Sequence, residues 1–407
     1  MPVERIDTLV IGGGQAGLTI SHRLKQRGID HLVLERHRIA ERWRSERWDG
    51  LMFQFPNWSV RLPEFAFPHR DPDGFSAVPA IVKFIEDYAA FVAPPIRCGV
   101  AVTRLRRDDS GGFIAETNDG SIAAQNVVVA TGPYQRPVRP DLLRDHPGLF
   151  QLHASDYKNP AQLPDGAVLV IGAGASGAQI AEELLRAGRR VLLSVGRHSR
   201  LPRRYRGRDL FRWLADIGID QTPVELRGPT RLLPVISGAD GGHTIDFRRF
   251  AADGITLLGR VTAGRDGVIA IAPDLAESIA NGDAAYATFL GVVDDFVRAR
   301  GLDYPDDLAA RAQLPDPPCL TEPLRQLDLS AEGINAVIWA TGYGLDLGWI
   351  EIPVLDANGD PRHRHGVSEV PGLYFLGLQW LSKMKSSFLS GVGDDAADLA
   401  DHIAGRR

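Results

Sequence analysis

The chain carries one pattern twice. Residues 7–35, DTLVIGGGQAGLTISHRLKQRGIDHLVLE, are answered by residues 167–194, AVLVIGAGASGAQIAEELLRAGRRVLLS. Each copy runs through an apolar strand, a G-x-G-x-x-G turn, an amphipathic helix closed by a glycine, and a second apolar strand. Leu18, Ile20 and Leu24 supply the apolar face of the first helix and Gly28 its C-terminal cap. Ile180, Ala181, Leu184 and Leu185 do the same for the second, with Gly188 as cap. A strand, crossover helix and parallel strand form the βαβ unit of an open α/β sheet. One copy can arise by chance. Two full copies predict an α/β chain with two dinucleotide-binding, Rossmann-like domains.

The spacing assigns work to single residues. In the first copy Gly12 permits the tight turn, Gly14 lets a pyrophosphate approach the backbone, and Gly17 lets helix and strand pack closely. Gln15 lies inside this turn and is counted with it. Free N–H groups and the positive end of the helix dipole then face the phosphates. Glu35 ends the second strand about twenty residues on, where a carboxylate takes the ribose hydroxyls. Gly172, Gly174, Ser176 and Gly177 repeat the turn in the second copy, but the strand there ends in Ser194 and is followed by Arg197. A carboxylate repels a 2′-phosphate. A guanidinium forms a charge-assisted hydrogen bond to it, of about 1.5–3 kcal/mol. At about 1.4 kcal/mol per decade, that is roughly a ten- to hundredfold preference for NADPH over NADH. His198 and Arg200 are expected to add to the field. The first unit is read as an FAD site and the second as an NADPH site. The competing reading of Arg197 is a plain surface cation.

The stretch 160–166, PAQLPDG, has linker composition, and a second crossover is expected near 315–323, PDPPCLTEP. Beyond it NAVIWATGYG (335–344) echoes NVVVATGPY (126–134), each an apolar strand entering Ala-Thr-Gly. Thr131 and Gly132 are assigned to the FAD site. The layout expected is an FAD domain over 1–160, an NADPH domain inserted over 161–320, and the FAD domain again over 321–407. Residues 200–330 alternate too poorly for their elements to be placed. Within them 197–213 interleaves arginines with Tyr205, Phe211 and Trp213, and is read as a solvated face near the cofactor rather than a nucleic-acid surface.

Composition narrows the function. A net charge of −5 gives no general reason to bind nucleic acid. The two cysteines, Cys98 and Cys319, exclude a disulfide framework, a C-x-x-C pair and a cysteine-based zinc site, and fit a reducing compartment. The N-terminus enters a strand at once, leaving no room for a signal peptide, and the longest apolar stretch, 336–350, is short and contains Asp346. A cytoplasmic protein without a transmembrane segment is expected, and a homodimer stays open. No P-loop is present, GAGASGAQ is not a nucleophile elbow because Ala178 stands where glycine is needed, and HRH (363–365) lacks nearby ligands for a metal.

The paired fingerprints, the two Ala-Thr-Gly strands and the tail GLYFLGLQWLSKMKSSFLSGVGDDAADLADHI together resemble the class B flavin monooxygenases over nearly the whole chain. That group includes flavin-containing monooxygenases, the YUCCA enzymes, N-hydroxylases and Baeyer–Villiger enzymes. The resemblance implies FAD contacts at Gly12, Gly14, Gly17 and Glu35, and places Arg42 and Trp43 against the flavin. It implies a helix N-terminus at Gly391–Asp395, with Gly391, Gly393 and Asp394, near the flavin pyrimidine edge, where it stabilises the reduced ring. HASDYKNP (153–160) matches the second half of the family fingerprint through His153 and Tyr157. The first half departs: Pro147 and Leu149 stand where phenylalanine and glycine are expected. Residues 50–68 match the stretch whose asparagine helps hold the oxygenated flavin, and Gln54 sits in that place, with Asn57 the amide that can substitute for it.

The leading expectation is an NADPH- and FAD-dependent monooxygenase that oxygenates a small amine, thioether or keto acid with dioxygen through a C4a-(hydro)peroxyflavin. No acid–base pair is needed, because the cofactor carries the hard chemistry. The longer Gln54 and the broken fingerprint keep open a flavin reductase or oxidase without oxygen insertion, and a non-enzymatic flavin redox sensor is the third alternative.

Overall fold

A computed structural model describes residues 3–109, 111–144, 146, 148–228 and 234–406. The doubled pattern forms two sheets with parallel cores. In the first, the strand Glu4–Ile11 lies between His31–Glu35 and Gly120–Val129, parallel to both. Ile96–Cys98 and Leu373–Phe375 continue the sheet in parallel on the two sides. The antiparallel pair Val102–Arg107 and Phe113–Thr117 attaches to Gly120–Val129. In the second sheet, Ala167–Ile171 lies between Val191–Ser194 and Ile334–Trp339, with Thr256–Leu258 and Phe150–His153 outside them, all parallel.

The strands read as unbroken apolar runs because such sheets are covered on both faces. Leu9, Val10 and Val33 in one sheet, and Val168–Val170 and Val191–Leu193 in the other, have no exposed surface. The crossover helices Gln15–Gln26 and Ala175–Arg186 bury Leu18, Ile20 and Leu24, and Ile180, Ala181 and Leu184, while Leu185 is only partly covered. Gly28 and Gly188 follow them in the left-handed region, φ +63° and +77°, the conformation that ends a helix without a Cβ penalty.

The repeat extends further than its two fingerprints. Gly120–Val129 and Ile334–Trp339 hold the same place beside the first strand of each unit, and Ala130 and Ala340 each donate N–H to that strand's last carbonyl, Ile11 or Ile171, at 2.8 Å. The Ala-Thr-Gly echo is therefore the third strand of each unit. This corrects the boundaries expected at 160 and 320. Residues 150–153 and 334–339 both pair inside the second sheet, so the inserted domain starts earlier and ends later. The proline-rich 315–323 lies within that domain, a loop with a 3-10 turn at Pro318–Leu320.

The inserted domain's remaining elements are short, among them helices Leu210–Ile217 and Phe247–Ala252, except for the long helix Leu275–Arg300. The two chain crossovers run side by side. Arg136–Pro137 pairs antiparallel with Tyr343–Gly344, and Val138 N–H donates to Gly342 O at 3.0 Å. Pro147 lies outside the described residues. Among the described residues, no helix is long and apolar enough to cross a membrane.

Candidate functional site at the junction of the two sheets

Both fingerprints open onto one cavity of about 960 Å³, at the carboxyl ends of the two sets of parallel strands, where open α/β sheets bind ligands. Their glycines do matching structural jobs. Gly12 and Gly172 have φ +112° and +106°, and a Cβ on either would lie 2.6 Å from Ala130 O or 2.4 Å from Ala340 O. A Cβ on Gly17 or Gly177 would lie 1.8 Å from Gly12 O or 1.9 Å from Gly172 O, so these two set how closely helix and strand pack. Gly14 and Gly174 are different. Each is the N-cap of its helix without a side-chain cap, and a Cβ there would meet no protein atom within 4 Å. The open space lies over free helix N–H groups, the surroundings a pyrophosphate requires.

Gly12, Gly14, Gln15, Glu35, Arg42, Trp43, Gln54, Thr131, Gly132, Gly174, Ser176 and Arg197 all border this cavity. Glu35 accepts from Gly13 N–H at 2.7 Å and His37 N–H at 2.9 Å, which fixes its carboxylate at the strand end. Gln15 donates to Ser387 O at 2.9 Å, tying the first turn to the tail. Arg42 pairs with Glu46 at 2.8 Å and donates to Tyr134 O. Trp43 packs edge-on to Phe53 at 5.3 Å, and the Arg47 guanidinium lies 5.1 Å from its ring. Arg197 is exposed and forms no ion pair with a described residue, as a cation kept for a ligand phosphate would.

Other assignments do not survive as written. Ser194 is buried; its hydroxyl donates to Gly259 O at 3.0 Å and accepts from Val261 N–H at 3.2 Å, so it braces a neighbouring loop and does not face the cavity. Arg200 adds nothing to a phosphate field, because it pairs with Asp246 at 2.6 Å and Asp283 at 2.7 Å. His198 borders the cavity, yet burial pushes its pKa below the ordinary imidazole range, so it stays neutral. The arginine-rich run is a set of ion pairs rather than a solvated face: Arg203 with Asp209, Arg206 with Asp294, Arg208 with Asp216 and Arg212 with Asp73.

Asn57 is pinned away from the cavity, donating to Asp71 O at 2.9 Å and accepting from Ser76 Oγ at 2.7 Å. It cannot replace Gln54. The Gln54 Oε1 is buried without a hydrogen-bond partner among the described residues, on a residue that lines the cavity. An unpaired buried acceptor costs about 1–3 kcal/mol, which a turn of the side chain toward a donor in the cavity would relieve. At the tail, the cavity is lined by Ser387–Leu389, not by Gly391, Gly393 or Asp394. Gly391 is the N-cap of helix Val392–Ala404, and its missing Cβ makes room for Lys385 O; Gly393 makes room for Pro63. Asp394 pairs with Lys383 at 3.1 Å and Lys385 at 3.2 Å. These three shape the turn that delivers 387–389 to the cavity.

The fingerprint residues sit at the domain junction. His153 Nε2–H donates to Gly342 O at 3.1 Å while Nδ1 accepts from Ser155 N–H at 3.1 Å. Tyr157, fully buried, donates to Glu183 Oε2 on the second fingerprint helix at 3.0 Å. The aromatic wall was missed in the sequence. Phe53 and Phe55 stack at 5.0 Å, and Phe55 meets Phe211 at 4.4 Å and Phe388 at 4.8 Å. The available signal was the i, i+2 spacing in FQF, which puts both rings on one side of an extended segment.

Two dinucleotide folds opening on a shared cavity define a flavin- and pyridine-nucleotide-type oxidoreductase. Residues 9–209 match the family model described as pyridine nucleotide-disulphide oxidoreductase. A CzcO-like oxidoreductase of Geobacillus kaustophilus is 36% identical over 404 residues, covering 98% of both chains. The rice (Oryza sativa subsp. japonica) indole-3-pyruvate monooxygenase YUCCA1 is 28% identical, over 97% of this chain and 90% of that one. Among solved structures, the flavin-containing monooxygenase of Stenotrophomonas maltophilia has the same fold, with TM-score 0.68 over 99% of both chains at 18% identity. The chain belongs to the class B flavin monooxygenase-like family of FAD-dependent oxidoreductases, together with the CzcO-like proteins.

Proposed function

We propose that this chain is an NADPH- and FAD-dependent monooxygenase that transfers one oxygen atom of dioxygen to a nitrogen, sulfur or carbonyl carbon of a small substrate. The observation that carries the proposal is the shared cavity: both phosphate-type turns, Arg197 and Gln54 border the same space. Bound FAD supplies hydride acceptance and dioxygen activation. The chain's residues do the rest. Gly14 with its helix N-terminus and Glu35 hold the flavin dinucleotide by its phosphates and ribose. Gly174, Ser176 and Arg197 hold the hydride donor, with Arg197 selecting the 2′-phosphate. Trp43, Phe53 and Phe55 keep the inner wall apolar and exclude water, which strengthens the electrostatic contacts made there. Gln54 offers the amide.

The experiment is a panel of amines, thioethers and 2-oxo acids tested for NADPH consumption, with oxygenated product and peroxide measured in parallel. The 2-oxo acids belong on it because the rice relative is named an indole-3-pyruvate monooxygenase. Product formed in step with NADPH, with little peroxide, supports the proposal. One observation favours the second reading, an oxidase or reductase without insertion. With Asn57 held elsewhere, Gln54 is the amide of this segment left at the cavity, and it is one methylene longer than asparagine. That reading gives peroxide equal to NADPH on every member of the panel.

A further inference from the structure

The backbone that presents Gln54 is gripped from the other domain. Arg203 is 1% exposed and opens the hairpin formed by Arg204–Tyr205 and Arg208–Asp209. Its Nε donates to Asp209 Oδ2 at 2.8 Å, and its Nη1 donates to the main-chain oxygen of Gln54 at 2.6 Å. The guanidinium carbon lies 4.2 Å from the Phe75 ring centre and 5.5 Å from that of Phe211. Its main chain is fixed as well: Arg203 N–H donates to Thr244 Oγ1 at 2.8 Å, and Arg203 O accepts from Leu210 N–H at 2.8 Å. The preceding carbonyl is also met by the inserted domain, since a Cβ on Gly238 would lie 2.4 Å from Phe53 O.

Among the described residues Asp209 alone pairs with Arg203, so the bond to Gln54 is not needed for neutrality. Buried ion pairs are often no more stabilising than apolar residues of the same volume. A buried fork that uses one arm for its counter-ion and the other for a carbonyl in a cavity wall has the geometry of an orienting device.

We propose that Arg203 is a positioning residue for Gln54, holding the main chain that carries its side-chain amide at the cavity. The proposal rests on the assignment of Gln54 to the oxygen-handling amide. Arg203 acts through the Gln54 main chain. It also joins the inserted domain to this wall, so the placement of that domain is transmitted to Gln54.

The test uses Arg203→Met, Arg203→Lys, Gln54→Ala and the double variant Arg203→Met/Gln54→Ala, with the best substrate of the panel. Misplacement of a positioned group by about 1 Å can reduce rates a hundredfold, so Arg203→Met is expected to lower the ratio of oxygenated product to peroxide about tenfold or more. Arg203→Lys, a point charge that cannot serve both partners as the fork does, loses part of it. The double variant is expected to be no worse than Gln54→Ala alone. Losses that multiply would overturn the proposal, because independent sites add in free energy. A second readout, independent of turnover, uses the protein as purified: amide exchange at Phe53 and Asn57, whose N–H groups donate to Ser76 O at 2.7 Å and Gly74 O at 2.9 Å, is expected to rise about tenfold in both Arg203 variants. Unchanged exchange overturns the proposal. Should Arg203→Met not fold, Arg203→Lys carries both arms. Should the unaltered protein make only peroxide, the monooxygenase reading fails, and amide exchange alone decides whether Arg203 fixes this segment.

Discussion

Alanine at Gly174 separates ligand binding from folding. Gly174 has φ −71° and ψ −176°, an ordinary extended conformation, and its Cβ would have no protein neighbour within 4 Å. Alanine is a poorer N-cap than glycine by about 0.5–1 kcal/mol, but it restricts the unfolded chain by a similar amount, so the net change is within about 0.5 kcal/mol. For a domain of this size that is roughly 2 °C or less in the melting midpoint. Gly177 is the contrast. A Cβ there lies 1.9 Å from Gly172 O and 2.9 Å from the Ala340 methyl, so the helix must retreat by more than about 1 Å. Overpacking of that kind costs about 1–3 kcal/mol, enough to lower the midpoint by several degrees. If a pyrophosphate occupies the space over Gly174, the added methyl weakens NADPH binding at least about tenfold, or 1.4 kcal/mol, while flavin content stays as in the parent. The assay is the half-saturating NADPH concentration for anaerobic bleaching of bound flavin, with a melting curve on the same sample. A Gly174→Ala protein that binds NADPH normally, or that melts as early as Gly177→Ala, refutes the phosphate assignment.

Two further outcomes follow from the site. Arg197→Ala is expected to raise the Michaelis constant for NADPH about tenfold or more by loss of a charge-assisted bond, with little effect on NADH; equal losses with both nucleotides contradict the role given to Arg197. His153 is held as a neutral imidazole, and burial lowers its pKa despite the Gly342 carbonyl. Its contribution to stability is therefore complete above the unfolded value of about 6.5 and is lost as pH falls through the lower folded value, by at most about 1.4 kcal/mol per pH unit. Melting at pH 7.5 and 5.5 should show a smaller acid-induced drop in His153→Gln than in the parent, and equal drops argue against this account.

What could be read from residues alone was what local geometry dictates. Two fingerprints demanded two βαβ units, and Gly12, Gly14 and Gly17 with their counterparts stand in the conformations their spacing requires. Arg197 could be picked out because it breaks the rule for a strand end. What escaped depends on contacts distant in sequence. The echo at 335–344 was visible, but only pairing with Ala167–Ile171 shows which sheet owns it. Ser194 sat at the right strand end, yet the partner that turns it inward, Gly259, lies 65 residues on. Asn57 and Gln54 looked interchangeable as nearby amides. The 3-10 turn at Asn57–Ser59 sends one into the fold and leaves the other at the cavity. Arg203 was one cation in a run of many until Asp209 and the Gln54 carbonyl distinguished it.

The paired crossovers, Arg136–Pro137 against Tyr343–Gly344, have a mechanical meaning. A ladder of two short strands flexes readily out of its own plane and resists being sheared or wrung. The two crossings between the sheets are thus bound into one ribbon, so neither can shift along its length without the other.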